Sequence, residues 1–281
     1  MVSGAIAGLV SNSLCHPLDT IKALYQYCNV FTMANIRRHW RAEKLRFFFR
    51  GYTAVLVTTV PCTALYYVSY EQSKRFLDAR DDDPLKQFSC GVFSQFVASF
   101  LFTPRDVIKE RLQVQNVEGQ MNTKPYSGSL DALKMIYTEE GLRGLYRGYF
   151  QTLSLWSIYG GIYLAVYSKS KSITKKVFYF REGHPLPPPY LLTCSVTSAA
   201  VAAALTNPLD VLKLHYQVQS NKTNFYLLGK NLVKKFGAGV WFKGVTARML
   251  WISPRTGLSF TVYELTKEMM EPNKVTSYAT H

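Results

Sequence analysis

A chain of 281 residues with a mean hydropathy of −0.03 has room for one or two ordinary soluble domains, and its composition alone does not mark it as a membrane protein. Its 33 Lys and Arg against 18 Asp and Glu give a formal net charge of +15, a balance that suits nucleic acid, anionic lipid or an anionic solute. No zinc-ligand spacing and no compact basic domain is present, which excludes the usual nucleic-acid modules.

Taken in chain order, uncharged stretches run over residues 1–18, 51–70, 87–103, 148–167 and 185–209. A sixth segment, 244–270, has helical character but is interrupted by Arg248 and Arg255. A membrane-spanning helix needs roughly 17–25 mostly apolar residues, and these lengths fit. Helices of a soluble bundle are usually far shorter, so spanning is the preferred reading of the six segments. Several contain Ser, Thr, Gln and Tyr and therefore do not face lipid all round. Much of the positive charge lies in the connectors, as in "RRHWRAEKLR" from Arg37, where anionic lipid headgroups are the natural partner. The connector 126–140 reads as a short amphipathic helix with Leu130, Leu133, Ile136 and Tyr137 on its apolar side. Met1 leads almost directly into the first apolar segment without a basic n-region or an Arg-rich presequence, so the address is internal or the start is incomplete. The cysteines Cys15, Cys28, Cys62, Cys90 and Cys194 form no CxxC pair and read as free packing thiols.

The segments repeat. Pro17, Pro104 and Pro208 each close an odd segment, as "HPLDTIKALYQ", "TPRDVIKERLQ" and "NPLDVLKLHYQ". An aromatic-base-glycine triplet opens each even segment, at Phe49-Arg50-Gly51, Tyr146-Arg147-Gly148 and Phe242-Lys243-Gly244. A tyrosine follows each of those bases by 20 residues, at Tyr70, Tyr167 and Tyr263. Constant offsets of this kind indicate tandem units of about a hundred residues. We place them at 1–80, 84–178 and 185–272, within one domain spanning 1–281.

Three copies of Pro-x-acid-x-x-base-x-x-x-Gln, each followed by an aromatic-base-glycine triplet, resemble the mitochondrial carrier family over the whole chain. The resemblance implies an all-α membrane protein. Six tilted transmembrane helices in three pseudo-symmetric repeats would surround a central cavity, with short helices on the matrix side. It implies a multi-pass solute transporter of the mitochondrial inner membrane, an antiporter working by alternating access between two salt-bridge gates.

The matrix gate would pair Asp19 with Lys109, Asp106 with Lys213 and Asp210 with Lys22, braced by Gln26, Gln113 and Gln217. On physical grounds alone, an acid and a base at i and i+3 could equally pair within one helix. Proline kinks would bring the helix ends together. A cytoplasmic gate would draw on Tyr70, Glu71 and Lys74, on Tyr167 and Lys171, and on Tyr263, Glu264 and Lys267. Glu71 would pair with Lys171 and Glu264 with Lys74. Ser168 stands where the middle copy should have an acid, so this gate is the weaker one.

Arg50-Gly51, Arg147-Gly148 and Lys243-Gly244 open the even helices, where free N–H groups attract anions; by the resemblance, cardiolipin binds there. Counting eight, nine and twelve residues from each triplet base gives the substrate contacts expected by the resemblance. These are Thr58, Thr59 and Cys62, then Leu155, Trp156 and Tyr159, then Trp251 and Arg255, with Ile252 beside Trp251. Arg255 is the fixed charge at this level, and the aromatic faces suit a planar or cationic group. A small zwitterionic or cofactor-like solute, such as S-adenosylmethionine or an amino acid, fits that set. The scattered histidines form no metal spacing or triad, so neither enzyme activity nor a metal or other cofactor is expected. A non-transporting scaffold with the carrier fold, and a nucleotide or cofactor carrier of another organelle, stand as alternatives. No nucleic-acid partner is expected, and the pseudo-threefold unit would function as a monomer.

Overall fold

The computed structural model describes residues 2–27, 44–78, 83–115, 125–178, 186–219 and 224–270, without the side chains of residues 2–5, 84, 260 and 263–270. Among the described residues the regular structure is entirely helical. The elements are α1 (Val2–Tyr27), α2 (Leu45–Phe48), α3 (Tyr52–Phe76), α4 (Pro84–Val114), α5 (Ser129–Leu145) and α6 (Tyr149–Val177). They continue with α7 (Pro188–Leu205), α8 (Asn207–Val218), α9 (Phe225–Phe236), a 3-10 turn (Ala238–Phe242) and α10 (Val245–Met270). The all-α architecture expected from the sequence is the one observed.

The long helices close a ring: α1 packs on α3, α3 on α4, α4 on α6, α6 on α7, α7 on α10, and α10 back on α1. Local chemistry sets their ends. Asp83 caps α4 by accepting from the Lys86 N–H at 3.1 Å, with Pro84 in the first turn, where its missing N–H costs nothing. Gly51 and Gly148 take left-handed conformations at the starts of α3 and α6. The uncharged runs end at the prolines, yet α1 and α4 continue through Pro17 and Pro104 for another two to three turns. The third odd segment breaks at Thr206, and Pro208 sits in the first turn of a separate helix, α8.

Beyond the prolines the three odd segments converge. Ala23 of α1, Val114 of α4 and Leu214 and Val218 of α8 form one buried apolar cluster at the axis. The short helices brace this end from outside. Ala132 and Ile136 of α5 pack on Val107, Ile108 and Leu112 of α4, while Leu228 and Leu232 of α9 pack on Val211. The apolar side of α5 differs from the sequence expectation. Leu130 and Tyr137 are 75% and 56% exposed, because the small Ala132 lets the helix approach α4 on a face rotated away from them.

Leu45–Phe76 and Pro188–Leu205 are long and apolar enough to cross a membrane by length and composition. The other long helices carry polar and charged groups along the inside of the ring, which dilutes the same signal. Cys15, Cys62, Cys90 and Cys194 are free and buried, as packing thiols should be; Cys28 lies outside the described residues.

Candidate functional site

A cavity of ≈ 270 Å³ occupies the ring interior, directly above the convergence of the odd helices. Its floor is charged. Lys109 Nζ lies 2.9 Å from Asp19 Oδ2, Lys213 Nζ 3.0 Å from Asp106 Oδ2, and Lys22 Nζ 2.5 Å from Asp210 Oδ2. Each pair joins two different odd helices, and all six side chains are at most 14% exposed. The within-helix pairing that spacing alone left open is therefore not the one adopted. Exposed ion pairs are worth only about 0–1 kcal/mol, whereas buried pairs carry stronger attraction against a larger desolvation cost.

The glutamines do not act alike. Gln26 Nε2 donates to Asp210 Oδ2 at 2.9 Å and to Asn207 Oδ1 at 3.2 Å. Gln113 Nε2 donates to Asp19 Oδ2 at 3.3 Å and to Thr20 Oγ1 at 3.2 Å. Gln217 departs from the brace assigned to it, donating instead to the Arg147 carbonyl at 3.2 Å and to Thr152 Oγ1 at 3.3 Å. Two features of the middle repeat explain this. Asp106 is already covered on both oxygens, since Arg105 donates to Oδ1 through Nε at 3.1 Å and Nη2 at 2.8 Å while Lys213 holds Oδ2. The residue before each proline also differs. His16 Nε2 binds the Arg50 carbonyl at 3.1 Å and Asn207 Nδ2 donates to the Lys243 carbonyl at 3.2 Å. Thr103 is too short to do the same, its buried hydroxyl has no partner, and Gln217 supplies the missing donor to Arg147.

The triplet glycines sit where these helices touch. A Cβ on Gly51 would lie 2.9 Å from Lys109 Cα, one on Gly148 2.9 Å from Gln217 Cγ, and one on Gly244 2.8 Å from Gln26 Cγ. Each even helix thus begins against the odd helix of the next repeat, at the level of the ion pairs. The triplet bases are engaged as well. Arg50 Nη1 donates to the Gln115 carbonyl at 2.9 Å, Arg147 lies 4.8 Å over the Tyr216 ring, and Lys243 lies 5.2 Å over Phe236.

The opposite end of the ring is built differently. Glu71 and Lys171 form no ion pair; Lys171 instead lies 5.4 Å over the Tyr167 ring. Tyr159, Tyr163 and Tyr167 stack one turn apart along α6, with ring planes 16° and 6° from parallel, and Tyr66 stacks on Tyr70 along α3. The side chains of Tyr263, Glu264 and Lys267 lie outside the described residues, and with them the proposed partner of Lys74.

Three tandem helix pairs, a closed ring and three interhelical ion pairs beneath a central cavity now stand beside the comparison with known proteins. The model of the mitochondrial carrier protein family matches residues 1–81, 80–178 and 184–274. The chain belongs to the mitochondrial carrier family. It is a multi-pass solute transporter of the mitochondrial inner membrane. This carrier is 34% identical to mitochondrial substrate carrier family protein E of Dictyostelium discoideum, over 96% of its own length and 95% of the relative's. It is 29% identical to a calcium-dependent mitochondrial ATP-magnesium/phosphate carrier protein 3 of Arabidopsis thaliana, covering 96% of its own chain and 56% of that relative. Mitoferrin of D. discoideum is also 29% identical, over 95% and 92% of the two chains.

Of the residues counted as solute contacts in this carrier, Thr59, Trp156, Trp251 and Arg255 line the cavity. Thr58, Cys62, Leu155 and Tyr159 do not. Thr58 Oγ1 turns back to the Ala54 carbonyl at 2.6 Å, Cys62 and Leu155 are buried between helices, and Tyr159 packs on Ala199, Ala203 and Ile252. Each residue along a helix rotates its side chain by about 100°, so a count along the chain alternates between wall and packing face. Trp251 already faces two cations, Lys22 at 5.4 Å and Arg255 at 5.5 Å, which leaves Trp156 as the more open aromatic surface.

Among the cavity residues missed from the sequence, three carry polar or charged contacts that bear on the site. Arg105 lies 4.5 Å over Phe102 and holds Asp106. Asn12 Oδ1 accepts from Arg255 Nε at 2.9 Å. Glu110 approaches Lys213 Nζ at 3.4 Å, and its other carboxylate oxygen has no partner. The signal was available: Arg105 and Glu110 occupy positions filled by Leu18 and Leu209 and by Ala23 and Leu214 in the other copies. Arg111 was missed too. It grips both oxygens of Glu140 and donates from Nε to the Gln217 carbonyl at 3.0 Å, joining α4, α5 and α8 outside the cavity.

Proposed function

We propose that this carrier moves its solute by alternating access, with the three interhelical ion pairs as the matrix gate and the Tyr70–Lys74 and Tyr167–Lys171 region as half of a weaker cytoplasmic one. One observation carries the reading: three pairs are made at one end of the cavity while Glu71 and Lys171, at the other, are apart. That asymmetry is what a carrier closed on one side and open on the other requires. Solute bound in the cavity would offset the cost of separating the floor pairs, and exchange would follow from the need for a solute to open either gate. The triplet N-termini, with their partly engaged bases, would hold cardiolipin phosphate, and the closed ring would work as a monomer of three repeats.

The cavity also bears on the cargo. Six basic side chains face four acidic ones along its wall, a net charge of +2. Low-dielectric walls of one sign concentrate the opposite ion. This supports an anionic, cofactor-like solute with a planar body for Trp156. An amino acid fits less well, and S-adenosylmethionine, with its cationic sulfonium, fits least.

Uptake of radiolabelled nucleotides, cofactors, carboxylates and amino acids into liposomes holding the purified protein tests this reading, with Lys109→Ala as control. Uptake of one class of anion, lost in the variant, is the expected result. A folded preparation that takes up none of them, or that works unchanged with Lys109→Ala, refutes it.

A further inference from the structure

We infer that Arg105 is a second acid-binding group of the solute site, so that the solute carries acidic groups at two ends and binds in competition with Asp106 for the Arg105 guanidinium. The inference rests on the anionic reading of the cavity and deepens it.

The first observation is position. Arg105 is on α4 and Arg255 on α10, and in the ring these helices stand opposite one another, separated by α1 and α3 on one side and by α6 and α7 on the other. Both side chains reach the same cavity. A solute with one acidic group can meet one of them, whereas a solute with two meets both across the axis.

The second is charge. Once the three floor pairs are counted, Arg105, Arg248 and Arg255 remain as basic groups against the single acid Glu110. Arg248 is 1% exposed, approaches Asp210 Oδ2 at 3.4 Å, and donates to Thr206 at 2.9 Å, so it belongs to the floor. Arg255 has the neutral Asn12 as its hydrogen-bond partner and no acid among the described residues. Arg105 is the other cation that an arriving anion can address.

The third is what Arg105 holds. It spends Nε and Nη2 on the single oxygen Asp106 Oδ1. A planar guanidinium binds carboxylate or phosphate best through two parallel bonds to two oxygens. Its contact with Asp106 is therefore inferior to what a solute acid group offers. Transfer of Arg105 to the solute leaves Asp106 with Lys213 alone, and Lys213 is shared with Glu110. Occupancy of the cavity would thus weaken one of the three floor pairs at its acid. The equivalent residues Leu18 and Leu209 give the other two pairs no such handle.

The experiment follows thermal unfolding of the purified carrier at fixed ionic strength with adenosine, its monophosphate and its bisphosphate with phosphates at both ribose ends. The series adds one acidic group at a time to the same planar base. The wild type should bind the bisphosphate at least tenfold more tightly than the monophosphate, read from the concentration that gives half the shift. In Arg105→Leu that ratio should fall to about one, alongside whatever ligand-free stability is lost with the Arg105–Asp106 contact. In Arg105→Lys, which keeps the charge without the fork, the ratio should be intermediate. Equal response of the wild type to both phosphates, no response to either, or an undiminished ratio in Arg105→Leu overturns the inference. A large loss of ligand-free stability in Arg105→Leu with the ratio intact would assign Arg105 to the floor alone. The uptake screen can succeed with a singly charged solute while this experiment fails, so the two readings fall separately.

Discussion

Replacing Gly51 with alanine tests whether the triplet glycines serve packing at the ion-pair level or only an N-terminal lipid site. Gly51 has φ +75°, and a Cβ there would meet Lys109 Cα at 2.9 Å and the Lys109 carbonyl at 3.1 Å. Both are backbone atoms and cannot swing aside. A left-handed conformation in a non-glycine residue costs on the order of 1–2 kcal/mol. Overpacking of a close contact adds typically 1–3 kcal/mol. The expected loss is therefore about 2–5 kcal/mol. Gly148 supplies the control, since it takes the same left-handed conformation (φ 81°, ψ 22°) while its Cβ would meet the Gln217 side chain, which can move, so mainly the conformational part applies. Thermal unfolding of the two variants in detergent, with and without cardiolipin, gives the order directly. Equal destabilisation of Gly51→Ala and Gly148→Ala would refute the packing argument. A Gly51→Ala deficit that appears only with cardiolipin would assign the glycine to lipid.

Other variants address the floor and wall. Lys109→Ala leaves Asp19 buried with the Gln113 amide as a hydrogen-bond partner, and breaking a buried pair at one member costs about 3–5 kcal/mol. Its unfolding temperature should drop well below that of the double variant with Asp19→Asn; if the double variant is the worse, the pair is not what stabilises this end. Gln26→Ala and Asp210→Asn should show a coupling energy of about 0.5–3 kcal/mol in a double-mutant cycle, and Gln217→Ala and Asp106→Asn about none. Equal coupling in both cycles would contradict the assignment of Gln217 to Arg147. Trp156→Ala should raise the KM for the transported solute while Thr58→Ala leaves it unchanged, as uptake kinetics would show, because Thr58 bonds within its own helix.

Much of this was legible in the chain because repetition multiplies weak signals. One Pro-x-acid-x-x-base segment is unremarkable, but three of them, each with its triplet and its tyrosine, prescribe helix pairs, a ring and the level at which charges face inward. What could not be read is the structural consequence of the residues that break the repetition. The side chain before each proline looks like noise in the sequence, yet the reach of His16 and Asn207 against the short Thr103 decides which donor each triplet carbonyl receives. The cavity lining was half legible for a geometric reason. A residue count fixes height along a helix but not rotation about it, and rotation separates Thr59 from Thr58 and Trp156 from Leu155. Leu130 and Tyr137 were misassigned on α5 because a small residue, Ala132, can make a closer contact than a large one.

The deviations converge on the middle repeat. Arg105, Glu110 and Arg111 replace aliphatic residues or a histidine at the corresponding places, Thr103 replaces a longer donor, and Ser168 stands where an acid would complete the far end. A symmetric ring has no reason to open at one pair before another. Here the Asp106–Lys213 pair shares with Asp210–Lys22 an additional cation on the acid, and differs from both counterparts in having an additional acid on the base and no glutamine brace. Two competing partners make a contact easier to exchange than a closed pair, since each leaving group finds a replacement within reach. If Arg105 meets the solute as inferred, the second repeat would supply both a handle for the solute and the weakest link of the floor, and the pseudo-threefold frame would supply the other two pairs that keep it closed while empty.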